Sequence, residues 1–200
     1  QELAENGVRI SAGHTNATYE ETCSALNMGV TCFTHLFNAM SPLQSRAPGV
    51  ICAALESNAW CGIILDGKHV HPAMLRMALR AKIDRRFLLV SDAMPTAGGN
   101  SDHFYIGKRR ITLVDGALRS EDGTLAGAAL NMSMAVRNAV EMLEVNLVDA
   151  VRFASLNPAR FLGVSAESGS IGVGKRADFV VLSADLEPME TWISGVRYDT

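Results

Sequence analysis

No apolar stretch in this sequence approaches the roughly 20 residues that a helix needs to cross a bilayer, so no helical membrane span is expected within it. Basic excess is lacking too. Eighteen Lys and Arg stand against 21 Asp and Glu, a net charge of −3, which removes the electrostatic case for a nucleic-acid partner. Cys23, Cys32, Cys52 and Cys61 form no C-x-x-C pair and no short-loop framework. Read as free thiols, they place the chain in the cytoplasm. There is no internal repeat or low-complexity tract. The opening Gln1-Glu2-Leu3-Ala4-Glu5 is neither basic nor followed by an apolar run, so a signal peptide is not expected. No Met stands at position 1, and the chain is expected to continue upstream.

What is present is enough hydrophobic sequence, 48%, to bury a sizeable core in one domain or a domain with a small appendage. Short apolar runs end on an ionisable residue where the chain turns polar. They read Val8-Arg9-Ile10-Ser11-Ala12-Gly13-His14, Val30-Thr31-Cys32-Phe33-Thr34-His35 and Phe87-Leu88-Leu89-Val90-Ser91-Asp92. A fourth run, residues 60–65, leads into Asp66-Gly67-Lys68-His69. Helical patterns alternate with them. Thr18 and Glu21 form a capping box, a short helix is expected over 50–57, and Pro72 opens a helix at its first position. Strand–helix alternation predicts a parallel α/β sheet. A complete (β/α)8 barrel needs eight strands, and four are seen. Residues 1–163 therefore read as the second, C-terminal half of a TIM-like barrel.

Within that half, residues 104–122 interrupt the pattern with a β-hairpin turning at Asp115-Gly116. Helices are expected over about 131–145, from Asn146 onward, and from Asn157-Pro158 to Gly163. Residues 164–200 are strand-rich at Phe179-Val180-Val181-Leu182 and Trp192-Ile193, and read as part of a small sheet.

Each ionisable strand end has a plain structural reading beside a functional one. A single strand-end His is ordinarily hydrogen-bonded to its surroundings. Two at equivalent positions, His14 and His35, point to shared metal ligation, since neutral imidazole suits zinc, iron, cobalt and nickel alike. Asp92 could cap a helix, but Met94-Pro95 and Thr96-Ala97-Gly98-Gly99-Asn100 follow it, which favours a free carboxylate able to accept and return a proton. His69 either donates to a substrate carbonyl or binds local backbone. His71 reads as an N-cap and His103 as a solvated residue. Arg46, in the loop after the second strand, is either solvated or a bidentate phosphate clamp.

Gly13-His14-Thr15-Asn16-Ala17, Thr34-His35-Leu36-Phe37-Asn38-Ala39-Met40, Asp66-Gly67-Lys68-His69 and Val90-Ser91-Asp92-Ala93 together resemble the N-acetylglucosamine-6-phosphate deacetylase family of amidohydrolases. Asp122-Gly123-Thr124-Leu125-Ala126-Gly127, Asn157-Pro158-Ala159-Arg160 and the stretch from Gly169 to Asp178 look like later landmarks of that family. The resemblance implies a metal-bearing barrel with a small β-sandwich built from both chain ends. It implies His14 and His35 as ligands of a divalent metal, zinc foremost, and Asp92 as general base and then acid. His69 would contact the acetyl carbonyl, and Asn38 and Ala39 would hold the phosphate. Arg46 would reach the substrate of a neighbouring subunit in a homodimer, and Leu125, Ala126 and Gly127 would border the sugar. The family's third ligand, a Glu in a His-Leu-Glu-Gly-Pro-like segment, has no counterpart here. The expected activity is hydrolysis of the N-acetyl group of N-acetylglucosamine 6-phosphate, with this chain alone inactive. The alternatives are another amidohydrolase, such as a cyclic-amide hydrolase or deaminase, and a non-catalytic half-barrel that binds or scaffolds.

Overall fold

A computed structural model describes residues 1–198. Its centre is a four-stranded parallel sheet of β1 (Ile10–Ala12), β2 (Val30–Phe33), β3 (Trp60–Ile64) and β4 (Phe87–Val90), neighbours in space in the order they occur in sequence. That order keeps every crossover on the same course, as in a barrel wall, and brings the carboxyl ends of all four strands to one edge. Residues 2–5, for which the sequence carries no expectation, form a short helix α1 (Glu2–Glu5) packed against Gly29.

Local sequence sets the crossover helices. Helix α2 (Tyr19–Asn27) begins at the expected capping box: Glu21 N–H donates to the Thr18 hydroxyl at 3.1 Å, and Thr18 N–H to the Glu21 carboxylate at 2.8 Å. Helix α3 (Gly49–Glu56) is apolar on nearly every side and lies buried against α2 and β3. Its carboxyl end is capped by the buried Lys82, whose Nζ donates to the carbonyls of Ala54 at 3.3 Å and Ser57 at 2.7 Å. Helix α4 (Pro72–Ala81) opens with Pro72, and His71 accepts Ala73 N–H at 3.2 Å, the expected N-cap.

The hairpin expected over 104–122 is a three-stranded antiparallel sheet, β5 (His103–Ile106), β6 (Arg109–Val114) and β7 (Ala117–Ser120). Asp115 and Gly116 both have positive φ, 51° and 74°, which a two-residue type I′ connection requires. His103 is not simply solvated: its Nδ1 pairs with Asp102 at 2.8 Å. Helices α5 (Met132–Leu143), α6 (Leu147–Ala154) and α7 (Leu156–Leu162) follow, and Gly163 ends the last in the left-handed conformation. Beyond it lies a second antiparallel sheet, β8 (Phe179–Leu182), β9 (Pro188–Ile193) and β10 (Val196–Tyr198). Pro188 opens β9 and does not break the segment, because the first residue of a strand tolerates a missing N–H. Phe179 stacks on Trp192 across this sheet at 5.5 Å, yet Val180, Val181, Met189, Val196 and Tyr198 stay exposed.

One core serves the parallel sheet. Phe33, Ile63, Ile64, Leu65 and Phe87 from the strands pack with Leu75, Leu143, Ala150 and Phe153 from the helices. The four cysteines are free, and burial pushes the Cys61 thiol up to about 12. Asn157 is the polar tie in this core. Its amide donates to the carbonyls of Arg85 at 3.2 Å and Phe87 at 2.8 Å, which locks α7 to the start of β4. Replacing it with Leu leaves a buried carbonyl unpaired, so a loss of about 1–3 kcal/mol is expected. Urea unfolding of the complete protein measures it. A loss within the roughly 0.5 kcal/mol of an ordinary surface change would show that α7 is held by packing alone.

Candidate active site

Three of the residues singled out in the sequence leave their strands through left-handed backbone: φ is 47° at His14, 32° at His35 and 49° at Asp92. That conformation is uncommon for residues with a Cβ, and its recurrence after β1, β2 and β4 singles this edge out as a candidate functional one. Backbone bonds hold it. Thr15 N–H donates to Ala39 at 3.0 Å, Leu36 N–H to Gly62 at 2.7 Å, and Ala128 N–H to Asp92 at 2.9 Å.

The two imidazoles meet. His35 Nε2 lies 3.0 Å from His14 Nε2, and the rings stand edge to face at 72°. His14 is exposed and His35 buried, with its Nδ1 buried and without a hydrogen-bond partner among the described residues. Two nitrogens this close share either one proton or one cation. A zinc-like ion takes imidazole nitrogens at about 2.0–2.1 Å, so the pair fits as two ligands of a set. No cluster of three His, Cys, Asp or Glu able to hold an ion occurs among the described residues. The pair would supply part of a ligand set and not a whole one.

Asp92 opens onto a cavity of about 240 Å³ that it lines with His35, Ser11, Thr34, Gly62 and Phe161. Gly62 faces it without a side chain, and a Cβ there would stand 3.3 Å from His35 N. The segment Leu125, Ala126 and Gly127 is drawn to Asp92 by a parallel bridge between Ala93 and Ala128 and by Met94 N–H donating to the Ala128 carbonyl at 3.0 Å. Gly127 is required there, since φ is 92° and a Cβ would come within 2.4 Å of the Met94 side chain. Asn38 is half-buried and donates to the His35 carbonyl at 3.2 Å, beside the exposed Ala39. Arg46 is exposed on the 41–48 loop.

His69 brings a partner that sequence reasoning left without a role. Its Nδ1 lies 2.6 Å from Asp66 Oδ2. Burial pushes the Asp66 carboxyl up, but the His69 hydrogen bond, the backbone N–H groups of His69 and Lys68 and the charge of the ring outweigh it. The carboxyl ends below the ordinary carboxylate range. An Asp three residues before a strand-end His was the available signal.

Fold and site together define an α/β protein whose ionisable groups converge at the carboxyl ends of parallel strands. The chain belongs to the amidohydrolase family, which it matches over residues 2–197. It is 42% identical to an N-acetylgalactosamine-6-phosphate deacetylase of Shewanella sp., over 96% of this chain and 49% of that protein. An N-acetylglucosamine-6-phosphate deacetylase of Haemophilus influenzae is 36% identical over 94% of this chain and 50% of its own length. The crystal structure of N-acetylglucosamine-6-phosphate deacetylase from Pasteurella multocida superposes with a TM-score of 0.96 at 36% identity, covering 100% of this chain and 52% of that one. The chain thus spans about half the length of the curated relatives it matches.

Replacing either His14 or His35 with Ala is expected to lower the metal content of the complete protein at neutral pH. The double variant should lose little more, because residues sharing one site are not additive. Undiminished occupancy in a single variant would reduce the 3.0 Å contact to a ring–ring hydrogen bond.

Proposed function

We propose that this chain is the C-terminal half of a metal-dependent deacetylase acting on N-acetylglucosamine 6-phosphate. The observation that carries this is the convergence of His14 and His35 at 3.0 Å, with His35 and Asp92 lining one cavity. In this reading residues 1–163 supply four strands of a TIM-like barrel. Residues 164–200, of which 199 and 200 lie outside the described residues, supply part of a β-sandwich. The remaining strands and the third ligand belong to chain outside this sequence, and residues 1–200 alone are expected to be inactive. Free cysteines fit a cytoplasmic setting, and no described helix is long and apolar enough to cross a membrane.

His14 and His35 would hold a divalent cation, zinc foremost, which polarises the acetyl carbonyl and acidifies the attacking water. The Asp92 carboxylate takes a proton from that water as its oxygen bonds to the carbonyl carbon, and the carbonyl π pair moves onto oxygen. His69 hydrogen-bonds that oxygen as charge builds on it. Asp92 then passes its proton to the amide nitrogen, the C–N bond breaks, the amine leaves neutral, and the acetic acid formed gives its hydroxyl proton to solvent to become acetate. Leu125, Ala126 and Gly127 border the sugar, and Asn38 and Ala39 hold the phosphate. Arg46 completes the phosphate site of a neighbouring subunit in a homodimer.

A second reading keeps the chemistry and changes one stereocentre: the galacto epimer is the substrate. The 42% identity to the Shewanella enzyme, against 36% to the Haemophilus one, favours it. Acetate release by the complete protein from both 6-phosphates tests the two. A preference of tenfold or more in kcat/KM assigns the epimer, and release from neither overturns the proposal.

Asp92→Asn should keep metal and substrate binding and reduce kcat by about 10² or more. A near-wild-type kcat would remove Asp92 from the reaction.

For Arg46→Ala, the expected loss is selective. A charge-assisted contact of roughly 1.5–3 kcal/mol corresponds to about 10- to 150-fold in kcat/KM, felt by the 6-phosphate and not by the unphosphorylated sugar. Mixed dimers carrying Arg46→Ala in one chain and Asp92→Asn in the other should regain one intact composite site. Equal losses on both sugars would show that Arg46 supports its loop and does not read phosphate.

A further inference from the structure

The proposed reaction uses His69 through a single ring nitrogen, and the hydrogen-bond pattern identifies it. Asp66 Oδ2 holds Nδ1 at 2.6 Å, while Oδ1 accepts the backbone N–H groups of Lys68 at 2.8 Å and His69 at 2.9 Å. Both side chains are enclosed, His69 being 6% and Asp66 9% exposed. Helix α5 braces the loop: Asn138 donates to the Leu65 carbonyl at 2.7 Å, and the Met142 side chain would meet any Cβ placed on Gly67 at 3.5 Å. A carboxylate that accepts three N–H groups is stabilised as the anion. An ionised carboxylate has no proton to give, so the proton between it and the ring sits on Nδ1.

We propose that Asp66 is a positioning residue for His69: it holds the ring in the Nδ1–H form and leaves Nε2 as the nitrogen offered to substrate, where it donates only while the ring carries both protons. This rests on the reading of His69 as the carbonyl contact. Free imidazole side chains have no such fixed assignment, so the enclosure of the pair is what makes the state unique. The Asp66 carboxylate is the charge in contact with the ring. The same loop carries the exposed Lys68, and α5 contributes the uncharged Asn138 and Met142. Helix α4 contributes Arg76, engaged with the Met142 carbonyl at 2.6 Å and with Glu144 at 3.9 Å, and the end of β4 carries Asp92.

Asp66→Asn separates charge from shape. Two backbone N–H groups still need an acceptor at the Oδ1 position, so the amide oxygen stays there and the amide nitrogen faces the ring. It then donates to Nδ1 and forces the proton onto Nε2, as replacing the buried Asp of a catalytic triad with Asn does. Nitrogen-15 NMR of the His69 ring in the complete protein should show a neutral Nδ1–H form in wild type and a neutral Nε2–H form in Asp66→Asn. The variant carries a permanent but uncharged Nε2–H. With metal loaded it should run about tenfold lower in kcat with KM little changed, the difference between a charge-assisted and a neutral donor. A neutral wild-type ring whose single proton sits on Nε2 overturns the assignment without any variant being made. So does a ring form that the substitution leaves unchanged. A kcat that the substitution leaves unchanged overturns the donor role of Nε2. If the complete protein releases no acetate at all, the deacetylase reading fails, and the ring spectra still decide whether Asp66 holds His69.

Discussion

The parallel ladder of β1 to β4 determines where every candidate group stands. Strands paired in sequence order present their carboxyl ends at one edge, and the chain leaves that edge through left-handed backbone at His14, His35 and Asp92, with Phe37 and Ala39 adding two more such residues in the loop after β2. Each costs about 1–3 kcal/mol where a Cβ is present, and persists because neighbouring strand ends bond to it. Thr15 binds the loop after β2, Leu36 binds the β3 edge, and Ala128 binds Asp92. Shift the register of one strand and its ionisable group would turn to the opposite face. The site is therefore a property of the ladder and not of any one motif.

Much of this was legible in the sequence, for a physical reason. A capping box, a proline at a helix start and an Asp-Gly turn work within a few residues, so Thr18 with Glu21, Pro72, and Asp115 with Gly116 act as their chemistry dictates. Strand ends were legible because an apolar run that stops on His or Asp is informative without its neighbours. Contacts across the fold were not. Nothing in the spacing of His14 and His35 states that two Nε2 atoms meet, since that depends on the side chains of adjacent strands. Asp66 was overlooked because an Asp beside a Gly reads as a turn residue, and only the enclosed geometry turns it into a partner for His69. Helix α1 was illegible because four residues carry too little periodicity to register.

The open surfaces follow the same logic. A parallel sheet whose β1 and β4 have no further partner strands among the described residues, and a three-stranded antiparallel sheet with Val180, Val181 and Tyr198 exposed, each need covering. Relatives of about twice this length have the chain to supply it. The same extra chain is where the resemblance locates the missing carboxylate ligand, so closure of the fold and completion of the site are one structural event in this reading.

His35 ties these threads together at a single atom. Its Nδ1 is buried and lacks a partner among the described residues, and a buried polar group left unpaired costs about 1–3 kcal/mol. A ligating histidine ordinarily donates through its second nitrogen to a carboxylate, carbonyl or water, which fixes the ring and strengthens the ligating atom. His69 already shows that arrangement with Asp66, and His35 has the ring position for it without the acceptor. An acceptor brought to Nδ1 would place the proton there and free Nε2 as a lone pair opposite His14. The 3.0 Å contact between the two rings would then be filled either by the Nε2 proton of His14 or by a cation that both lone pairs bind. In the proposed reading, metal affinity at His14 and His35 would in this way be coupled to whatever packs against the buried side of the His35 ring.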